Sequence, residues 1–179
     1  MPRKPGKKIG LLLVNLGSPD APTTSRVRVF LREFLSDRRV VNLPRFLWWL
    51  ILNFFVLPFR PRRSAHAYRQ IWTDKGSPLM FYTRQLSEKL AETLGSDDVL
   101  VEFAMRYGKP VIADKLKALK AQSVEEIVIL PLYPQYSSTT TASVYDAMDD
   151  EIRRWRHVPG IHFISDYHAD DSYISAVAN

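Results

Sequence analysis

The sequence predicts an α/β fold, an open parallel sheet with helices on both faces. Runs at residues 9–16, 99–105 and 127–132 are apolar apart from Asn15 and Glu102 and do not alternate, and amphipathic helical segments fall between them. A strand that is apolar on both sides must be buried on both sides, which a parallel sheet between two helical layers provides.

Taken in order, the first strand covers 9–16 and closes on Gly17-Ser18-Pro19-Asp20. Thr24 or Ser25 caps a helix to about Leu35, with Val27, Phe30, Leu31 and Phe34 on one face. Beyond an apolar, Arg-rich stretch, residues 82–94 are amphipathic and stop at Gly95. The second strand is 99–105. A helix over 110–122 has Pro110 in its first turn and Ile112, Leu116 and Leu119 inward. The third strand is 127–132, followed by a helix from 143 to about 157, a short strand over 161–164 and a last helix capped by Asp171. The whole chain, 1–179, reads as one domain, with 1–8 a flexible tail. Residues from about 171 to 179 read as the start of a helix leading to a further domain.

The chain has no cysteine, which excludes disulfide scaffolds, cysteine zinc sites, iron–sulfur clusters and thiol nucleophiles. The absence of cysteine fits a reducing cytoplasm. With 25 Lys+Arg against 19 Asp+Glu the net charge is +6, and it is local. Residues 38–63 hold Arg38, Arg39, Arg45, Arg60, Arg62 and Arg63 and no acid, and the rest of the chain balances. Positive charge interleaved with apolar bulk argues against nucleic acid, which needs a basic face.

The same stretch contains an apolar run from 46 to 59 that includes Phe46, Trp48, Trp49, Phe54 and Phe55. As a helix it would span ~21 Å, short of a ~30 Å bilayer core. Aromatics flanked by arginine suit a segment lying in a membrane interface or lining an apolar cleft. A buried core helix is the other reading.

Ligands of open parallel sheets bind beyond the carboxyl ends of the strands. Four segments reach that edge: Asn15-Leu16-Gly17-Ser18-Pro19, Arg106-Tyr107-Gly108-Lys109-Pro110, residues 133–143, and Asp166-Tyr167-His168. Five hydroxyls, Ser137 to Thr141, precede a helix, where free N–H groups and hydroxyl donors favour a carboxylate or phosphate. No P-loop and no G-x-G-x-x-G accompanies them. Arg106 beside Tyr107 suits an acidic, planar ligand, or else an ordinary ion pair. His66, His157, His162 and His168 lack the pairing of a metal site, and His168 reads as a surface-loop residue.

These segments together resemble the ferrochelatase family, in its proteobacterial form. The resemblance rests on residues 9–19, 34–41, 68–72, 76–79, 105–110, 130–139 and 159–164. Tyr133-Pro134-Gln135-Tyr136-Ser137 together with Arg106-Tyr107 and Pro110 is its most specific part. It implies a Rossmann-like or flavodoxin-like chelatase domain, here the N-terminal half of a two-domain enzyme that inserts Fe2+ into protoporphyrin IX at the end of haem synthesis. By that resemblance Leu16 faces the macrocycle, and Arg69, Arg106 and Tyr107 lie near the cleft and the propionates. Tyr136, Ser137 and Thr139 follow along the hydroxyl-rich loop. Phe46, Trp48, Trp49, Phe54 and Phe55 form a lip at the cleft mouth, in peripheral contact with the inner face of the membrane. The family's metal-insertion histidine sits in a Ser-x-His-(Gly/Ser) motif that none of the four histidines matches; Ser64-Ala65-His66 is followed by Ala67. No catalytic residue, resident cofactor or metal ligand is therefore expected in this chain. Fe2+ and protoporphyrin IX are expected as substrates, and a C-terminal domain as partner. A non-catalytic porphyrin- or anion-binding module, a membrane-surface domain, a chelatase for another tetrapyrrole or metal, and coproporphyrin as substrate stay open.

Overall fold

The computed structural model describes residues 7–94 and 98–178. Its centre is a four-stranded, all-parallel sheet in the order β2-β1-β3-β4, from β1 (Ile9–Asn15), β2 (Val99–Met105), β3 (Glu126–Pro131) and β4 (Gly160–Phe163). In register, Leu12 of β1 lies between Glu102 and Ile129, and Ile129 is followed by Phe163.

One face packs on α5 (Ile112–Ala121) and α6 (Ser143–Ile152). There Leu12, Val14, Ala104, Ile127 and Ile129 meet Leu116, Leu119, Val144 and Met148 in one cluster. The opposite face carries α4 (Pro78–Leu94), where Asn15 Nδ2 donates to the buried Thr83 Oγ1 at 3.0 Å. A second cluster forms around α1 (Thr24–Ser36): Val27, Phe30, Leu31 and Leu35 pack with Leu52, Leu57, Ala65 and Tyr107.

The 38–63 stretch folds as α2 (Arg45–Ile51), a π-helical turn (Leu52–Val56) and α3 (Leu57–Ile71). Its inner face completes α1, whose last carbonyls have no helical donor. Trp48 Nε1 donates to Leu35 O at 2.6 Å and Arg45 Nη1 to Ser36 O at 2.8 Å. Pro61 has no N–H for the carbonyl of Leu57 four residues back, and Arg28 Nε donates to it at 3.2 Å instead. No helix of the described residues is long and apolar enough to cross a membrane.

Several expected boundaries move, each for a local reason. Pro110 lies outside α5: its carbonyl accepts from Met105 N at 2.7 Å and Val111 is extended, so the helix starts at Ile112. α4 begins a turn earlier than 82, with Ser77 O accepting from Phe81 N and Pro78 in the first turn. α6 ends at Ile152, and turns bring the Trp155 indole back to Glu151, 2.9 Å away. Asp170, not Asp171, caps α7 (Asp171–Ala178), accepting from the amides of Ser172 and Tyr173. Of the expected tail, 1–6 lies outside the described residues, as does the stop at Gly95. Lys7 and Lys8 are tied to β3, through Lys7 Nζ on Glu126 at 2.7 Å and Lys8 O accepting from Glu125 N at 2.8 Å.

Candidate functional site

The strand order reverses between β1 and β3, which opens a crevice at their carboxyl ends. The exits of β1 and β2 are bound together there. Arg106 N donates to Asn15 O at 2.8 Å and Tyr107 N to Leu16 O at 2.9 Å. Gly17 makes this approach feasible: its φ is +101°, and a Cβ on it would lie 1.8 Å from the Tyr107 carbonyl oxygen.

Behind the crevice lies a buried polar network. Arg106 Nη2 (2.6 Å), Tyr107 Oη (2.8 Å) and Ser143 Oγ (2.5 Å) all donate to Asp37 Oδ2. Arg106 Nε turns to Ser143 and donates to its carbonyl and hydroxyl oxygens. The guanidinium stands 4.5 Å from the centre of the Tyr107 ring. Burial pulls the Asp37 carboxyl up, but Ser143, the Arg39 amide, Tyr107 and Arg106 together hold it below the usual carboxylate range. Burial pushes the Tyr107 phenol up to about 12. Arg39 adds a bidentate pair to Asp146 at 2.7 and 2.8 Å, so the chain leaving α1 is fastened twice to the start of α6.

For Arg106 the ion pair is thus the reading realised. Its side chain is 18% exposed, and Tyr107 has no exposed surface. Both side chains reach the loop that α6 carries through Ser143.

That loop, 133–142, borders a cleft of about 570 Å³ lined by Tyr133, Gln135, Tyr136, Ser137, His168 and Tyr173, among others. Tyr136 is 59% exposed. The five hydroxyls do not form a single array. Ser137 caps a π-helical turn (Ser138–Ala142), with its Oγ accepting from Thr139 N at 3.3 Å. Thr139 sits beside Ser137 and outside the cleft lining, Thr140 lines it, and Thr141 is fully buried. The amides expected to be free for an anion are therefore partly used within the turn. The Tyr133 hydroxyl is buried without a hydrogen-bond partner, and burial raises its pKa well above that of a free phenol.

The remaining expected site residues are spread around this edge. Leu16 is half-buried against the α1 cluster, and the exposed Arg69 donates from α3 to Pro22 O at 3.3 Å. Phe46, Trp49, Phe54 and Phe55 are exposed on the outer face of α2 and the π turn, whereas Trp48 turns inward. His168 is a cleft residue and not merely a loop one, with Nδ1 3.4 Å from Asp166 Oδ1. His162, on β4, is exposed and 3.6 Å from Glu126. Among the described residues no three His, Asp or Glu side chains gather as metal ligands. Sequence reasoning missed Asp37 and Ser143; the signal for Asp37 was its place as the last acid before a 36-residue stretch, 38–73, with none.

Comparison with known proteins gives a consistent picture. The family model described as Ferrochelatase matches residues 8–179. A ferrochelatase of Methylococcus capsulatus is 56% identical over 171 residues, covering 96% of this chain and 52% of that protein. One from Herminiimonas arsenicoxydans is 51% identical, covering 95% and 47%. One from Pseudoalteromonas atlantica is 48% identical, covering 98% and 49%. The chain spans about half the length of the curated relatives it matches.

Proposed function

The chain belongs to the ferrochelatase family, and we propose that it is the porphyrin-gripping half of an enzyme of haem biosynthesis that inserts Fe2+ into protoporphyrin IX, a lyase. The observation that supports this best is the cleft beyond the carboxyl ends of β3 and β4, on the β3 side of the reversal of strand order, walled by flat aromatic and hydroxyl side chains. Tyr136 lies against the macrocycle edge, Ser137 and Thr139 offer hydroxyls, Leu16 presents an apolar surface, and the exposed Arg69 exchanges the Pro22 carbonyl for a propionate. Arg106 and Tyr107 lie on the propionate side of the cleft, and with Asp37 they keep the Ser143 end of the loop in place.

Metal insertion needs a bent macrocycle, so that a pyrrole lone pair meets the ion, and a base for two departing N–H protons. Contacts along this wall supply the bending, as binding energy applied away from the reacting centre. None of this chain's four histidines stands in the family's Ser-x-His-(Gly/Ser) motif, His66 being followed by Ala67, so the base is assigned to a C-terminal domain as partner. Fe2+ enters as substrate; no resident cofactor, iron–sulfur cluster or nucleic-acid partner is proposed. The location is cytoplasmic, with the outer face of the lip touching the inner face of the membrane.

Quenching of protoporphyrin fluorescence tests the site. Tyr136→Ala, at a solvent-exposed position, is expected to weaken porphyrin binding about 5- to 10-fold, the worth of one aromatic contact (~1–1.4 kcal/mol). Unchanged affinity would remove the cleft from the account.

A further inference from the structure

The outer face of the lip sets aromatic rings and unpaired cations side by side. Phe46, Phe54, Phe55 and Phe59 are 76%, 60%, 69% and 72% exposed. Among the described residues no acid pairs with Arg60, Arg62 or Arg63. Phe55, Phe59, Arg60, Arg63 and Ser64 line a groove of about 680 Å³ between the π turn and α3.

We propose that this groove seats the phosphate of an anionic phospholipid, so that the lip lies in the plane of an anionic membrane surface. The inference rests on the reading of the lip as a membrane-contact face and adds its headgroup chemistry. Guanidinium forks match phosphate oxygens two bonds at a time. Residues 38–63 hold six arginines and no acid, and no carboxylate is among the residues that line the groove. A soluble anion would engage the arginines and leave the exposed phenylalanines in water. A lipid satisfies both, with phosphate on the arginines and the rings among the upper acyl carbons. No described helix can span, which leaves an in-plane seat.

Co-sedimentation of the full chain with neutral phosphatidylcholine vesicles, and with vesicles holding about 30% phosphatidylglycerol, tests this. Partition is expected to be at least tenfold stronger on the anionic vesicles and to fall with salt. It should drop roughly 10- to 30-fold in Arg60→Gln/Arg63→Gln and stay unchanged in Arg154→Gln/Arg156→Gln, an equal charge loss elsewhere. Circular dichroism checks that both pairs fold. Phe55→Ser/Phe59→Ser should weaken binding to both vesicles. Equal partition of the native chain onto the two vesicles would overturn the headgroup inference and leave membrane contact standing; sedimentation with neither would overturn both. Full anionic binding by Arg60→Gln/Arg63→Gln, with porphyrin quenching lost, would give the groove to the porphyrin instead.

Discussion

Asp37 carries more of this site's geometry than any residue that faces the cleft. Three donors meet on one of its oxygens, and its side chain is 8% exposed. Asp37→Asn leaves the Arg106 guanidinium buried without a counter-charge, and about 2–4 kcal/mol of stability should be lost in urea unfolding. Asp146→Asn removes the partner of Arg39 at a place where both side chains are over 40% exposed, and should cost under ~1 kcal/mol. The Asp37 carboxyl is held below its ordinary value, so its contribution is fully present above the unfolded pKa of ~4 and fades as pH falls through the folded one. The native chain should therefore lose stability more steeply than Asp37→Asn on acidification below about pH 4; parallel pH curves would refute this role. Gly17→Ala must place a methyl against the Tyr107 carbonyl at a positive φ, and should cost at least ~2 kcal/mol in the same assay.

Among the elements, the lip shows where one stretch divides between two tasks. Trp48 closes the end of α1 while its neighbour Trp49 is 55% exposed. Trp48→Phe should cost about 1 kcal/mol through the lost N–H bond, and Trp49→Phe nearly nothing, measured by thermal unfolding. This division was hidden in the sequence, because an all-apolar run has no period from which to tell its faces apart. The strands were legible to within a residue at each end, since a central strand's burial leaves a nearly continuous apolar signature: 127–132 was expected and Glu126–Pro131 is found. At the site, the crevice edge and Tyr136 and Ser137 were legible from strand exits. The network was not, because Asp37 meets Arg106 across 69 residues and Ser143 across 106, and no local pattern encodes such pairs. Tyr107 illustrates the same limit: adjacency suggested a ligand platform, and packing against Phe34 at 5.1 Å made it core.

At the scale of the whole molecule, the parallel sheet, the fastened strand exits and the clamped loop form a wall that is rigid at its base and open at its edge. On the proposed function such a wall grips and bends a flat ligand, and the base that takes protons from the ligand's centre belongs to another domain. Those two halves of the reaction can be separated in one cuvette, by titrating protoporphyrin IX anaerobically with this chain in mild detergent and adding Fe2+ last. The account predicts a shifted porphyrin spectrum on binding that does not convert to that of haem when iron is added. Conversion to haem would show that this chain performs the chemistry itself, and would contradict the assignment of the base elsewhere.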